Sequence, residues 1–116
     1  MLLIYGEGHE GDLPEDELRA LYAEYFRLSD DLRSQRKLIS SEELAHVSTA
    51  TTVQVRNGDT LVTDGPFAET KETLGGYYLI EADTLDEAIE WAARIPTART
   101  GKVEIRPVHD NSEYRE

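Results

Sequence analysis

Apolar residues change their spacing several times along this chain, and each change marks an element. Met1-Leu2-Leu3-Ile4-Tyr5 is apolar at successive positions, which predicts a strand covered on both faces, closed by Gly6 and followed by a polar loop over Glu7 to Asp12. Beyond Pro14 the interval lengthens. Leu18, Leu21, Tyr22, Tyr25, Leu28 and Leu32 recur every three or four residues, a helical stripe about a hundred degrees wide. Pro14 suits the first turn, Glu15, Asp16 and Glu17 complement the positive end of the dipole, and Arg33, Arg36 and Lys37 complement the other. Lys37 to Glu43 predicts a second strand around Leu38 and Ile39 with a polar tail.

Thr51 to Arg56 and Thr60 to Thr63 flank Asn57-Gly58, a pair suited to a two-residue type I′ hairpin turn. In that register Arg56 faces Asp59 and Val53 faces Val62, cross-strand pairs worth roughly 0.2–1 kcal/mol each. Tyr77 to Ala82 is again apolar at successive positions. Thr84 with Glu87 forms a capping box, Ala88, Ile89, Ala92 and Ile95 continue a helical stripe, and Pro96 stops it. Val103, Ile105 and Pro107 alternate with charged residues in a half-exposed edge strand, and the polar tail past Val108 is expected to fray.

This order predicts an α+β class: a ferredoxin-like split βαβ antiparallel sheet with two helices on one face and an inserted β-hairpin. Residues 1–110 form the single domain and 111–116 a polar tail. Two helices clad only one side of a sheet whose central strands send hydrocarbon to both. The bare side would exceed what a soluble monomer tolerates, so a homodimer is expected.

Composition narrows the function classes. A formal charge of -12, from 24 acidic and 12 basic residues, repels nucleic-acid phosphate and anionic membrane, so neither is an expected partner. The chain has no cysteine, which removes disulfide and thiolate chemistry. The apolar run at the start is too short for a secretory signal and no segment is long enough to span a bilayer, so a cytoplasmic protein is expected.

Asp64-Gly65-Pro66-Phe67-Ala68-Glu69-Thr70-Lys71-Glu72 packs a tight turn, an apolar ring and four charges into nine residues. Together with Gly75-Gly76-Tyr77-Tyr78-Leu79-Ile80, the opening Leu-Leu-Ile-Tyr-Gly, Ile89-Glu90-Trp91-Ala92-Ala93-Arg94-Ile95-Pro96 and Val103-Glu104-Ile105-Arg106-Pro107-Val108, it resembles the DGPF (DGPFAETKE) family of the YCII-related group. The resemblance implies a ferredoxin-like fold that dimerises into an α/β barrel with a cleft near the subunit junction. Some YCII-related proteins carry a His on the first helix, proposed with an Asp as a catalytic pair. The matching position here is Tyr25, a poor base near neutral pH, so that pair does not transfer. The resemblance also implies an association with extracytoplasmic-function sigma factors.

The nine-residue motif supports two readings. In one, Asp64, Lys71 and Tyr25 are catalytic, Asp64 as a general base or ligand acceptor and Lys71 as an anion or enolate partner, while Phe67 with Tyr77 or Tyr78 walls a pocket and Glu69 contacts the ligand. In the other, Asp64 caps the turn, Phe67 plugs the core and Lys71 pairs with Glu69 or Asp64. His9, His46 and His109 lack the spacing of a helical metal site, and no phosphate cradle, serine nucleophile or zinc pattern occurs, so no metal or cofactor is expected. Trp91 reads as partly buried core or a groove residue. Two functions stay open: binding of a small apolar or aromatic molecule in a dimer cleft, with cofactor-free acid–base catalysis or as a sensor, and a regulatory accessory module for a sigma factor.

Overall fold

Leu2 and Ile4 leave one face of β1 (Leu2–Gly6) and Leu3 and Tyr5 leave the other; that division organises the fold. In the computed structural model, which describes residues 1–115, β1 lies in a four-stranded sheet of order β2-β5-β1-β6. Its other members are β2 (Leu38–Glu43), β5 (Thr73–Ile80) and β6 (Lys102–Ile105), and every neighbouring pair is antiparallel. With α1 (Glu15–Ser34) and α2 (Leu85–Ala93) on one face, this is the expected ferredoxin-like α+β arrangement.

The core forms where both helices meet the sheet. Leu28 and Leu32 of α1, Trp91 and Ala92 of α2 and Ile95 after it pack on Leu2, Ile4 and Tyr78, with Leu38, Ile80, Val103 and Ile105 at the margin. Trp91 is buried there, and the Arg94 guanidinium lies 5.2 Å from its ring centroid. On the opposite face Leu3 is paired with Tyr77, and Leu79 stands beside Ser40. These side chains are half-buried in the single chain. The sheet stays open: no barrel closes among the described residues.

Helix ends follow their sequence signals with two adjustments. Pro14 is the N-cap of α1, not a residue of its first turn, because its extended ψ of 150° sets the chain's entry while its carbonyl accepts from Leu18 N at 2.9 Å. At the other end Arg36 adopts a left-handed φ of 58°. Arg36 N donates to Arg33 O at 2.9 Å and Lys37 N to Leu32 O at 2.8 Å, the paired closure of a Schellman motif. A non-glycine residue is strained there, so Arg36→Gly is expected to raise the unfolding free energy by about 0.5–1 kcal/mol, read by denaturant titration.

At α2, Thr84 Oγ1 accepts from Glu87 N at 3.1 Å as a capping box requires, but Glu87 Oε2 reaches back to Asp83 N, one residue earlier, at 2.8 Å. Its other oxygen pairs with Lys37 Nζ at 2.5 Å. The bond to Lys37 and then that to Asp83 hold the Glu87 carboxyl below its ordinary range. A depressed carboxylate stabilises above its unfolded pKa and loses that contribution as pH falls through the folded value. Glu87→Gln is therefore expected to flatten the acid limb of the stability–pH curve below the ordinary glutamate range while preserving the cap.

The hairpin is a separate two-stranded sheet of β3 (Thr51–Arg56) and β4 (Asp59–Asp64). Val53 pairs with Val62 and Arg56 with Asp59, as the turn residues predict, and Asn57 and Gly58 hold φ of 53° and 82°. Three valines on one flank, Val53, Val55 and Val62, are 60%, 59% and 64% exposed. β5 begins at Thr73, earlier than the apolar run at Tyr77, because Gly75-Gly76 continues the ladder. A Cβ on Gly76 would sit 2.7 Å from Glu42 O, so only glycine lets β2 approach there. β6 stops at Ile105, short of Pro107, and the tail makes a short turn over Ser112–Tyr114 instead of fraying throughout.

Candidate functional site

The helix-facing positions of β2 turn polar at Ser41 and Glu43, and those of β5 lose bulk at Gly76. The first half of α1 therefore spans a cavity of about 600 Å³ instead of a continued core. Leu21, Tyr22, Tyr25, Phe26 and Ser29 form its wall, and Ile4, Ser41, Glu43, Gly76 and Tyr78 its floor. The rim comes from the loop after β1, which carries His9, Glu10 and Asp12, and from the segment around His46.

Three phenols organise the interior. Tyr22 Oη donates to Glu43 at 2.9 and 3.0 Å, spanning both carboxylate oxygens. That bond, then loss of solvent and the charges of Glu43 and Glu10, raise the Tyr22 pKa. Tyr25 Oη lies 2.5 Å from Thr97 Oγ1, and burial raises its pKa against the opposing effect of that bond. Tyr78 Oη lies 2.9 Å from Ser29 Oγ and donates to Tyr25 O at 3.5 Å; burial likewise raises it. All three rings keep their protons at neutral pH and are available as hydrogen-bond donors.

His46 has a fixed tautomer. Ser48 N donates to its Nδ1 at 3.1 Å, so that nitrogen is an acceptor and the neutral ring carries its proton on Nε2. Nε2 lies against Gly8 at the rim, 3.2 Å from where a Cβ would stand. His9 sits between Glu7 and Asp12, 3.6 Å from each. No group of three metal-ligating side chains converges among the described residues.

Of the residues singled out in the sequence, Tyr25, Tyr77 and Tyr78 border this cavity. Asp64, Phe67, Glu69 and Lys71 do not border it in the single chain. Phe67 is 88% exposed in the single chain, so it does not plug that chain's core. Lys71 pairs with Glu7 at 3.3 Å, not with Glu69 or Asp64. Asp64 is exposed at the end of β4 opposite Thr51, and Glu69 is exposed. The loop is pinned elsewhere: Gly65, at φ 100°, donates to Ala50 O at 2.7 Å and accepts from Thr52 Oγ1 at 2.8 Å. Its far end is tied by a Glu72–Lys102 ion pair. A glycine is required at that φ, not by crowding, since a Cβ there meets nothing.

Glu43, His46 and Thr97 were not singled out as site residues. The sequence signal nearest to them is the polar end of β2; the pairing shift after Leu38 is what turns Ser41 and Glu43 toward the helix.

An open antiparallel sheet, two helices on one side and a polar-rimmed aromatic cavity under the first helix define a ferredoxin-like α+β protein with a pocket of small-molecule size. Residues 1–112 match the model of the YCII-related domain, and the chain belongs to that family. An uncharacterized protein of Rhizobium meliloti (strain 1021) is 42% identical over 91 residues, covering 71% of this chain and 73% of the relative. No helix among the described residues is long and apolar enough to cross a membrane.

Proposed function

We propose that this protein binds a small organic molecule in the cavity between α1 and the sheet, as a homodimer, with cofactor-free proton transfer available at Tyr22 and Glu43. The observation that carries this reading is the 600 Å³ cavity lined by apolar rings and by hydroxyls already held in place by Glu43, Thr97 and Ser29. The chemistry is a relay: a ligand proton passes to Tyr22 Oη as the phenol proton passes to Glu43. Tyr25 and Tyr78 supply hydrogen bonds to the ligand. Asp64, Phe67, Glu69 and Lys71 belong, in this reading, to assembly: Phe67 and the valine flank of the hairpin are covered by the second copy, as is the open face of the sheet.

Nile red, a neutral apolar dye, tests the pocket. One saturable site per chain is expected, and Ser41→Trp, which fills the floor, should weaken it by about tenfold or more, a loss of roughly 1.4 kcal/mol, with the thermal midpoint retained. Undiminished dye binding by Ser41→Trp would remove the pocket from the account.

The hairpin flank also supports a second reading, a regulatory accessory module, because an apolar surface away from the cavity is what a sigma-factor partner would need. Recovery of a regulator by a chain that sediments as a monomer would replace the first reading with this one.

A further inference from the structure

The charge around the cavity selects among small molecules, and the following inference rests on the small-molecule reading above. Among the described residues, no lysine or arginine lines the cavity, whereas Glu10, Asp12 and Glu43 do. Its basic side chains among the described residues are His9 and His46. Of these, His46 is an acceptor at Nδ1 toward a backbone N–H, and His9 is flanked by carboxylates on two sides. Behind the carboxylates stand aromatic rings: Tyr22 and Phe26 stack with centroids 6.3 Å apart, and Tyr78 forms part of the floor.

We propose that the ligand is an organic cation, an amine or ammonium with an apolar or aromatic body, whose charged end lies between Glu10 and Glu43 and whose body lies on the Tyr22, Phe26 and Tyr78 rings. Three physical effects act in the same direction. A carboxylate that accepts from Tyr22 retains lone pairs for an ammonium donor. Aromatic faces attract a cation within about 6 Å of a ring centroid. A chain of net charge -12 repels an anion of the same shape before it arrives. The Tyr22 pKa is raised first by its hydrogen bond to Glu43 and by burial, and then by the charges of Glu43 and Glu10.

Isosteric indole probes separate charge from shape. Tryptamine, tryptophol and indoleacetate are titrated calorimetrically into the full chain at physiological ionic strength, where distant surface charges are screened. Tryptamine should bind about tenfold more tightly than indoleacetate, with tryptophol between them, as an ion pair at a partly solvated site allows. Glu43→Gln and Glu10→Gln should each reduce the preference for tryptamine over tryptophol several-fold, because only the charged probe loses an ionic partner.

Equal or tighter binding of indoleacetate, with all three probes displaced by Ser41→Trp, overturns the cationic inference and leaves the cavity reading intact. A tryptamine preference that survives Ser41→Trp shows attraction to the general surface and also overturns it. Silence from all three probes removes the cavity reading itself, and the inference with it.

Discussion

Leu28→Ala is expected to lower the unfolding free energy by about 2–5 kcal/mol and the thermal midpoint by on the order of 10–20 °C. Leu28 is 2% exposed and belongs to the cluster that joins α1 to Leu2, Ile4, Trp91 and Ile95. Truncation removes three carbons from a site whose neighbours are fixed by the sheet on one side and α2 on the other, so the space cannot collapse fully. A domain of this size has about 5–15 kcal/mol in total, which makes the loss a large fraction. Val62→Ala is the contrast: the side chain is 64% exposed in the single chain, where a change stays within about 0.5 kcal/mol. A Val62→Ala loss that grows with protein concentration would show that a second copy covers the hairpin.

Leu79→Arg should convert a dimer into a monomer at micromolar concentration. Leu79 stands on the open face of the sheet beside Ser40, the face that neither helix covers. If a second copy packs there, the substitution buries an unpaired guanidinium at the centre of the contact, a cost of several kcal/mol. At about 1.4 kcal/mol per factor of ten, this weakens association by roughly a thousandfold. In a monomer the same side chain extends into water and changes little. Sedimentation of both forms at equal concentration decides the point: a dimer and a monomer support the assembly, and two monomers remove it.

The fold was legible in the sequence to the extent that local spacing determined it. The stripe ending in Leu28 and Leu32, the Asn57-Gly58 turn with its Val53–Val62 register, and the Thr84 cap all rest on residues within a few positions of each other. The site rests on convergence instead. Tyr22 meets Glu43 across 21 positions and Tyr25 meets Thr97 across 72, and no periodicity encodes either meeting. His9 and His46 look scattered along the chain yet share one rim. The 64–72 motif drew attention because its charges are dense, but density in a loop reports solvation as readily as chemistry. Its glycine and threonine bonds to the hairpin explain why such a loop has a fixed shape without a cavity beneath it.

Two strand irregularities were also beyond local reading. The pairing shifts between Ile4 and Tyr5 and between Leu38 and Ser40, and each lets one strand carry an extra residue past its partner. Their effect is spatial: the ladder resumes with Ser41 and Glu43 facing α1, where they border the cavity. Alternation read along β2 alone does not reveal that shift.

The claim on which the account turns is that the space under α1 receives the ligand. Titration of the isotopically labelled chain with tryptophol, a neutral probe, tests it through backbone amide shifts. Saturable shifts should concentrate at Ser29, Ser41, Gly76 and Tyr78, the residues around the cavity. Shifts confined to the β3–β4 hairpin and the 64–72 loop, or none at saturating tryptophol, would contradict it.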